Sequence, residues 1–342
     1  MTTLKKIAFT SCMSTEVFSA RQPVWEDIGW HKPDVLVLLG DSIYIDCPWP
    51  KGPDGMVTEP ALLNPSDFAA HVHRLYRKQL AVPEFRTLLQ QDGLATYAIW
   101  DDHDFLWNDA RQQQALSHLE HAVYSSNLFQ CWRDALAGVA PFPVTAMDPR
   151  VLKNIGVPRG QVRFNDAMPG YRCEVLFAGL VVLHLTDGRS WRDGPTLLGT
   201  QQKAMMQARM ADHPNALHLV ASGSTINGWE INGWKHYPED LRWLLALAET
   251  YDVRVLSGDI HEIDRKATWT EKGGRQLHEY IASGAAVDFA PPLLAGFFPA
   301  NIPVTAQRQF GLITLEDGLL PNVQFFKDGR RQGDISDPVP GA

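Results

Sequence analysis

The chain has 342 residues and a mass of 38.3 kDa, room for a large continuous core in one domain or two. Its 39 acidic against 31 basic residues give a net charge of -8 and a pI near 5.8, so a nucleic-acid backbone would meet no global positive field. The opening MTTLKKIAFTSCMS carries too short an apolar run for a signal peptide, no segment is apolar for long enough to span a bilayer, and four scattered cysteines form no disulfide framework. The expectation is a reduced, cytoplasmic protein with neither a membrane nor a nucleic acid as partner.

Short apolar, β-branched runs recur along the chain at KKIAFTSC, DVLVLLGD, ATYAIWDD, EVLFAGLVVLHLTD, ALHLVASGS, YDVRVLSGD, LHEYIASG, FGLITLED and NVQFFKD. Each has strand length, and several end in small or acidic residues where the chain must turn. Helical patterns fill the gaps at 67–91, 111–136, 199–212 and 237–251, the last opening Tyr-Pro-Glu-Asp with proline in the first turn and acids at the positive helix end. Strands interleaved with helices predict an α/β protein, and the close succession of late strands predicts mixed pairing, so two sheet layers flanked by helices fit better than a plain doubly wound sheet. Residues 1–327 read as one catalytic domain with loop insertions near 47–66 and 139–171. Residues 328–342 read as a poorly anchored tail.

Chemistry concentrates where apolar runs end. LLGDSIYID delivers Asp41 after Gly40, then Tyr44 and Asp46 within a short turn. YAIWDDHDFLWND ends another strand in Asp101, Asp102, His103 and Asp104, and VRVLSGDIHEID a third in Asp259, His261, Glu262 and Asp264. Acids at the exit of a buried strand are costly unless paired or metal-bound, and several acids around one histidine repel one another unless a cation intervenes. Asp259 and His261 alternate, so an extended segment would put them on one face, and Gly258 permits close backbone approach. Cys12 follows the first strand, beside Asp41 if the first two strands are neighbours. Arg189, in LTDGRSWRDGP, also follows an apolar strand, where a guanidinium can fork onto a phosphoryl group or pair with Asp187 or Asp193.

The ordered set GDSIY, WDDHDF, TDGRSWR, LLGTQQ, GWKHYPEDLRWLL and LSGDIH resembles the alkaline phosphatase D (PhoD-like) phosphatases of the metallophosphoesterase superfamily, across most of the chain. That resemblance implies a four-layer α/β/β/α sandwich, hydrolysis of phosphate esters, and Fe(III) with a divalent metal (Ca, Mn or Mg). It implies Asp41 as a bridging ligand, Tyr44 as a tyrosinate on ferric iron, Cys12 as the first-strand ligand, and Asp102, Asp259 and His261 as further metal ligands. One metal is then expected on Cys12, Asp41, Tyr44 and His261, and a second on Asp41, Asp102 and Asp259, with a metal-activated hydroxide attacking phosphorus. His103 is expected to protonate the leaving group and Arg189 to hold a phosphoryl oxygen. Two things differ from the wider superfamily: the first-strand Asp-x-His is missing, and VASGSTINGW has no histidine, leaving Ser222, Ser224 or Asn227 to hold a water.

The expected substrate is a small-molecule phosphate monoester. A phosphodiesterase for a nucleotide or lipid head group is the alternative enzyme, with Trp107, Trp229 or Trp234 available to stack on a base. A non-catalytic, metal-stabilised binding module is the alternative outside catalysis, and it requires a coordinatively closed site.

Overall fold

The computed structural model describes residues 4–16, 21–157, 170–227, 233–287, 308–316 and 321–336. Two six-stranded sheets form its centre. In the first, β1 (Lys5–Thr10), β2 (Val35–Leu39) and β3 (Ala95–Ile99) run parallel, and β10 (Gln309–Leu315), β11 (Asn322–Lys327) and β12 (Arg330–Ser336) continue antiparallel beyond β1. The second has the order β4-β5-β6-β7-β9-β8. There β5 (Val181–Leu185), β6 (Leu217–Ser222), β7 (Asp252–Ser257) and β9 (Gln276–Ala282) are parallel, with antiparallel edges β4 (Arg172–Leu176) and β8 (Ile263–Trp269).

Strand alternation sorts the apolar side chains into layers. Ile7, Phe9, Val35, Val37 and Leu39 meet Leu183, Leu219, Ala221 and Leu256 in the core between the sheets. The intervening Ala8, Leu36, Leu38 and Ala98 face α1 (Val24–Trp30), α2 (Pro65–Ala81), α3 (Pro83–Leu89) and α6 (Leu119–Leu136). On the far side, Val220, Val253 and Val255 pack under α7 (Gly199–Asp212) and α8 (Pro238–Thr250). The result is the expected four-layer α/β/β/α sandwich. Two short helices, α4 (Asp102–Phe105) and α5 (Gln112–Ser117), follow β3.

Several elements differ from their sequence reading. The pattern at 67–91 divides at Val82, because Pro83 cannot continue a helix and starts α3 instead. The run at 174–187 is two strands: β4 and β5 form an antiparallel pair about Phe177, Ala178 and Gly179, whose φ values of 54°, 55° and 93° make the turn. The tail expected at 328–342 is ordered as far as Ser336, since Asp328 and Gly329 (φ 51° and 72°) reverse the chain into β12, a polar edge strand with no apolar periodicity to announce it. Residues 337–342 lie outside the described residues. Asp240, read as a helix-end charge, is fully buried and accepts from the Leu197 and Leu198 amides at 2.8 and 3.0 Å and pairs with Lys203. No described helix is long and apolar enough to cross a membrane.

Candidate metal centre

The carboxyl ends of β1, β2, β3, β5, β6 and β7 deliver the polar residues to one place, as strand ends do in open α/β sheets. Oxygens of Asp41, Asp101, Asp102 and Asp259 lie within 4.8 Å of one another, and Asp41, Asp102 and His103 form an overlapping group within the same limit. Cys12 Sγ is 3.4 Å from Asp41 Oδ2, and Tyr44 Oη is 3.0 Å from His261 Nε2. Ser283 joins these two pairs: its hydroxyl contacts Cys12 Sγ at 3.2 Å and accepts from the His261 amide at 3.0 Å.

Backbone conformation sets these side chains. Cys12, Asp41, Asp259 and His261 all have left-handed φ, at 63°, 52°, 71° and 54°. A non-glycine residue rarely adopts that conformation, and when four do so around one point the fold is holding them against their own preference. Glycines allow the elements to close in. A Cβ on Gly223 would fall 2.4 Å from the Asp101 carboxyl, and one on Gly258 would fall 2.7 Å from Ser11 Oγ.

Asp104 ties the β2 and β3 exits together. It accepts from the amides of Ser42, Ile43 and Asp101 and from Tyr76 Oη, each at 3.2 Å. Burial pushes its carboxyl up to about 7 against those hydrogen bonds. Arg189 holds the neighbouring acids: Nε pairs with Asp101 and Nη2 lies 3.5 Å from Asp102 Oδ1. Burial drives Asp102 upward, but Arg189 and then His103 outweigh it and bring the carboxyl down to about 2. Arg189 Nη1 is buried without a hydrogen-bond partner. Its side chain is 1 % exposed and pairs through Nε and Nη2 with acids that follow β3, far away in sequence.

His103 has the geometry of a proton donor. Its Nδ1 is 2.5 Å from Asp46 Oδ1, and its ring stacks on Tyr44 with centroids 4.3 Å apart. Burial would lower its pKa, yet the carboxylates of Asp46, Asp102 and Asp41 raise it well above the ordinary value and so favour the protonated ring. His261 goes the other way: burial first, then the charge of His103, lowers it to about 4, leaving the neutral ring that a metal ligand must present. Burial raises the Cys12 thiol to about 11 and the Tyr44 phenol well above its usual value.

Asp41 Oδ1 and Asp101 Oδ2 are buried with no hydrogen-bond partner, in a cluster of four carboxylates of which Asp101 and Asp102 pair with Arg189. Orphaned carboxylate oxygens of this kind suit a hard cation with oxygen ligands. Asp101, Asp46, Asp104 and Ser283 were not assigned roles from sequence. Asp101 stood beside Asp102 in the same motif, and Asp46 in the DSIYID turn, while Ser283 carried no local signal. Ser222, Ser224 and Asn227 are engaged within the protein: Ser222 Oγ donates to Ser224 O, Ser224 Oγ accepts from Arg192, and Asn227 donates to Thr268.

Fold and strand-end site together define an α/β/β/α sandwich with an acidic cluster at its strand ends. A solved structure described as the structure of PhoD superposes with a TM-score of 0.62 at 14 % identity, covering 99 % of this chain and 72 % of that one. The chain thus has a PhoD-like fold. No protein-family profile matches it, and neither does any curated protein.

Proposed function

We propose that the chain is a metal-dependent hydrolase of phosphate esters, acting as a phosphomonoesterase. The observation that carries this reading is the cluster of Asp41, Asp101, Asp102 and Asp259 oxygens beside His103, which is held by Asp46. The four carboxylates would hold a divalent cation such as Ca, Mn or Mg. Cys12, Tyr44 and His261, a softer set that borders Asp41, would suit ferric iron. When bound, such ions lower the pKa of water and neutralise charge on phosphoryl oxygens.

The remaining work falls to the side chains. With Nδ1 bonded to Asp46, His103 would give the proton on Nε2 to the departing alkoxide. Tyr44 fixes the plane of that ring by stacking, and Arg189 orients Asp101 and Asp102. Replacing His103 by Asn tests the acid role. Turnover of alkyl phosphates should fall by roughly a hundredfold or more while p-nitrophenyl phosphate, whose leaving group needs no proton, falls far less. Equal losses on both esters would remove His103 from that role.

Of the tryptophans offered to a nucleotide diesterase, Trp234 is taken up by the core. Trp234 is fully buried in the outer core of the second sheet, Trp107 packs edge-on against His118, and Trp229 lies outside the described residues.

A further inference from the structure

The loop that carries Tyr44 and Asp46 runs on through Pro48 and Trp49 into the wall of a cavity of about 530 Å³ that no step above uses. Trp49, flanked by prolines, forms one wall, and α2 supplies Asp67, His71 and Arg74 opposite. Arg74 donates to His71 Nδ1 at 3.0 Å, so His71 Nε2 carries the hydrogen and donates to the Ile45 carbonyl at 2.8 Å. Ile45 in turn donates its amide to the His103 carbonyl at 3.3 Å, and lies between Tyr44, which stacks on the His103 ring, and Asp46, which bonds it. The cavity wall and the proton donor are therefore braced on two sides of one residue.

The lining says what fits. Lys51 and Arg74 are matched by Glu16 and Asp67, so the cavity has no net charge to select an anion or a cation, but has donors and acceptors for a polar edge. Trp49 is 51 % exposed, an indole face available for stacking, and Lys51 makes no ion pair among the described residues. A volume of this size is typical of a small-molecule site, roughly 300–1,000 Å³. An uncharged planar ring with hydrogen-bonding edges meets every one of these conditions.

We propose that this cavity is the leaving-group subsite and takes the base of a nucleoside, which makes nucleoside monophosphates the substrate class. The proposal rests on the phosphomonoesterase reading above. In the reaction, water adds its hydroxyl to phosphorus, the P–O bond to the sugar breaks, and the sugar oxygen takes up a proton. Inorganic phosphate and the free nucleoside leave.

Adenosine 5′-phosphate carries adenine where ribose 5-phosphate carries its C1 hydroxyl, so phosphate release from the two by the metal-loaded protein reports on the subsite. Wild type should favour the nucleotide in kcat/KM by roughly tenfold or more, as stacking of one base contributes. Trp49→Ala should bring that ratio close to one, and Trp49→Phe should restore most of it. A wild-type ratio near one, or an equal loss on both esters in Trp49→Ala, overturns the subsite. Calorimetric titration with adenosine separates the two readings. Binding that weakens about tenfold in Trp49→Ala, with no phosphate released from either ester, would keep the subsite and sink the phosphatase; absence of adenosine binding by wild type would overturn the subsite itself.

Discussion

The pairing of His103 with Asp46 decides how this site responds to pH. Asp46 is one of the carboxylates that hold His103 charged above its ordinary range, so an alkyl phosphate should be turned over fastest while the ring keeps its proton and more slowly as pH rises through its raised pKa. Asp46→Asn removes one of those charges and lowers that pKa. The alkaline limb of the rate profile should accordingly move to lower pH; a limb that stays in place would show that another group supplies the proton. Asp41 has a different part: with Asp102 it belongs to both candidate ligand groups, and it has a buried, unpartnered oxygen. Asp41→Asn should deplete bound metal and abolish activity, and unchanged metal content would remove it from the centre. Asp41, Asp102 and Asp259 were legible in the sequence because each sits where an apolar run stops. The Asp46–His103 bond spans 57 residues, and the four bonds to Asp104 come from three separate segments, so those relations exist only once the chain is folded.

Among the elements, strand ends and the glycines beside them carry the precision of the site. Gly223 follows β6, and a methyl there would lie 2.4 Å from the Asp101 carboxyl, so Gly223→Ala must displace either the acid or the loop. Metal affinity should fall at least about tenfold with the sheets intact, a result that circular dichroism and metal titration together can read. The second sheet also holds a chain of hydrogen bonds between its strands. Tyr171 Oη lies 2.7 Å from His184 Nδ1, His184 Nε2 lies 3.0 Å from His218 Nδ1, and His218 Nε2 donates to the His213 carbonyl at 3.0 Å. That terminal carbonyl makes His218 Nε2 a donor, and burial lowers the pKa of both rings, so that neutral His218 accepts at Nδ1 from His184 Nε2. Burial, and then His218, lowers His184 to about 3, so this residue binds a proton in the unfolded chain before it does in the folded one. Its contribution to stability is complete above about pH 6.5 and is lost as pH falls from there toward 3, by up to about 1.4 kcal/mol per pH unit. His184→Asn should flatten that acid slope in chemical denaturation; a slope identical to wild type would place its cause elsewhere.

For the molecule as a whole, layer order was readable because β2 is apolar at every position while helical patterns alternate with strands, which together demand sheets covered on both faces. Edge strands were less legible. β12 is polar and β4 is largely unburied, so neither shows the periodicity of a buried strand, and only pairing with β11 and β5 reveals them. What the assembled sandwich does is bring six strand ends from two sheets to one place, with four carboxylates whose oxygens lie within 4.8 Å. The most direct test is metal content measured on the purified protein together with hydrolysis of p-nitrophenyl phosphate and bis-p-nitrophenyl phosphate, before and after chelation and re-addition of Fe, Ca and Mn. Turnover that disappears with the metal, returns with it and is faster on the monoester is the expected result. Failure to take up any of these metals, or uptake with no turnover of either ester, would contradict a catalytic metal centre.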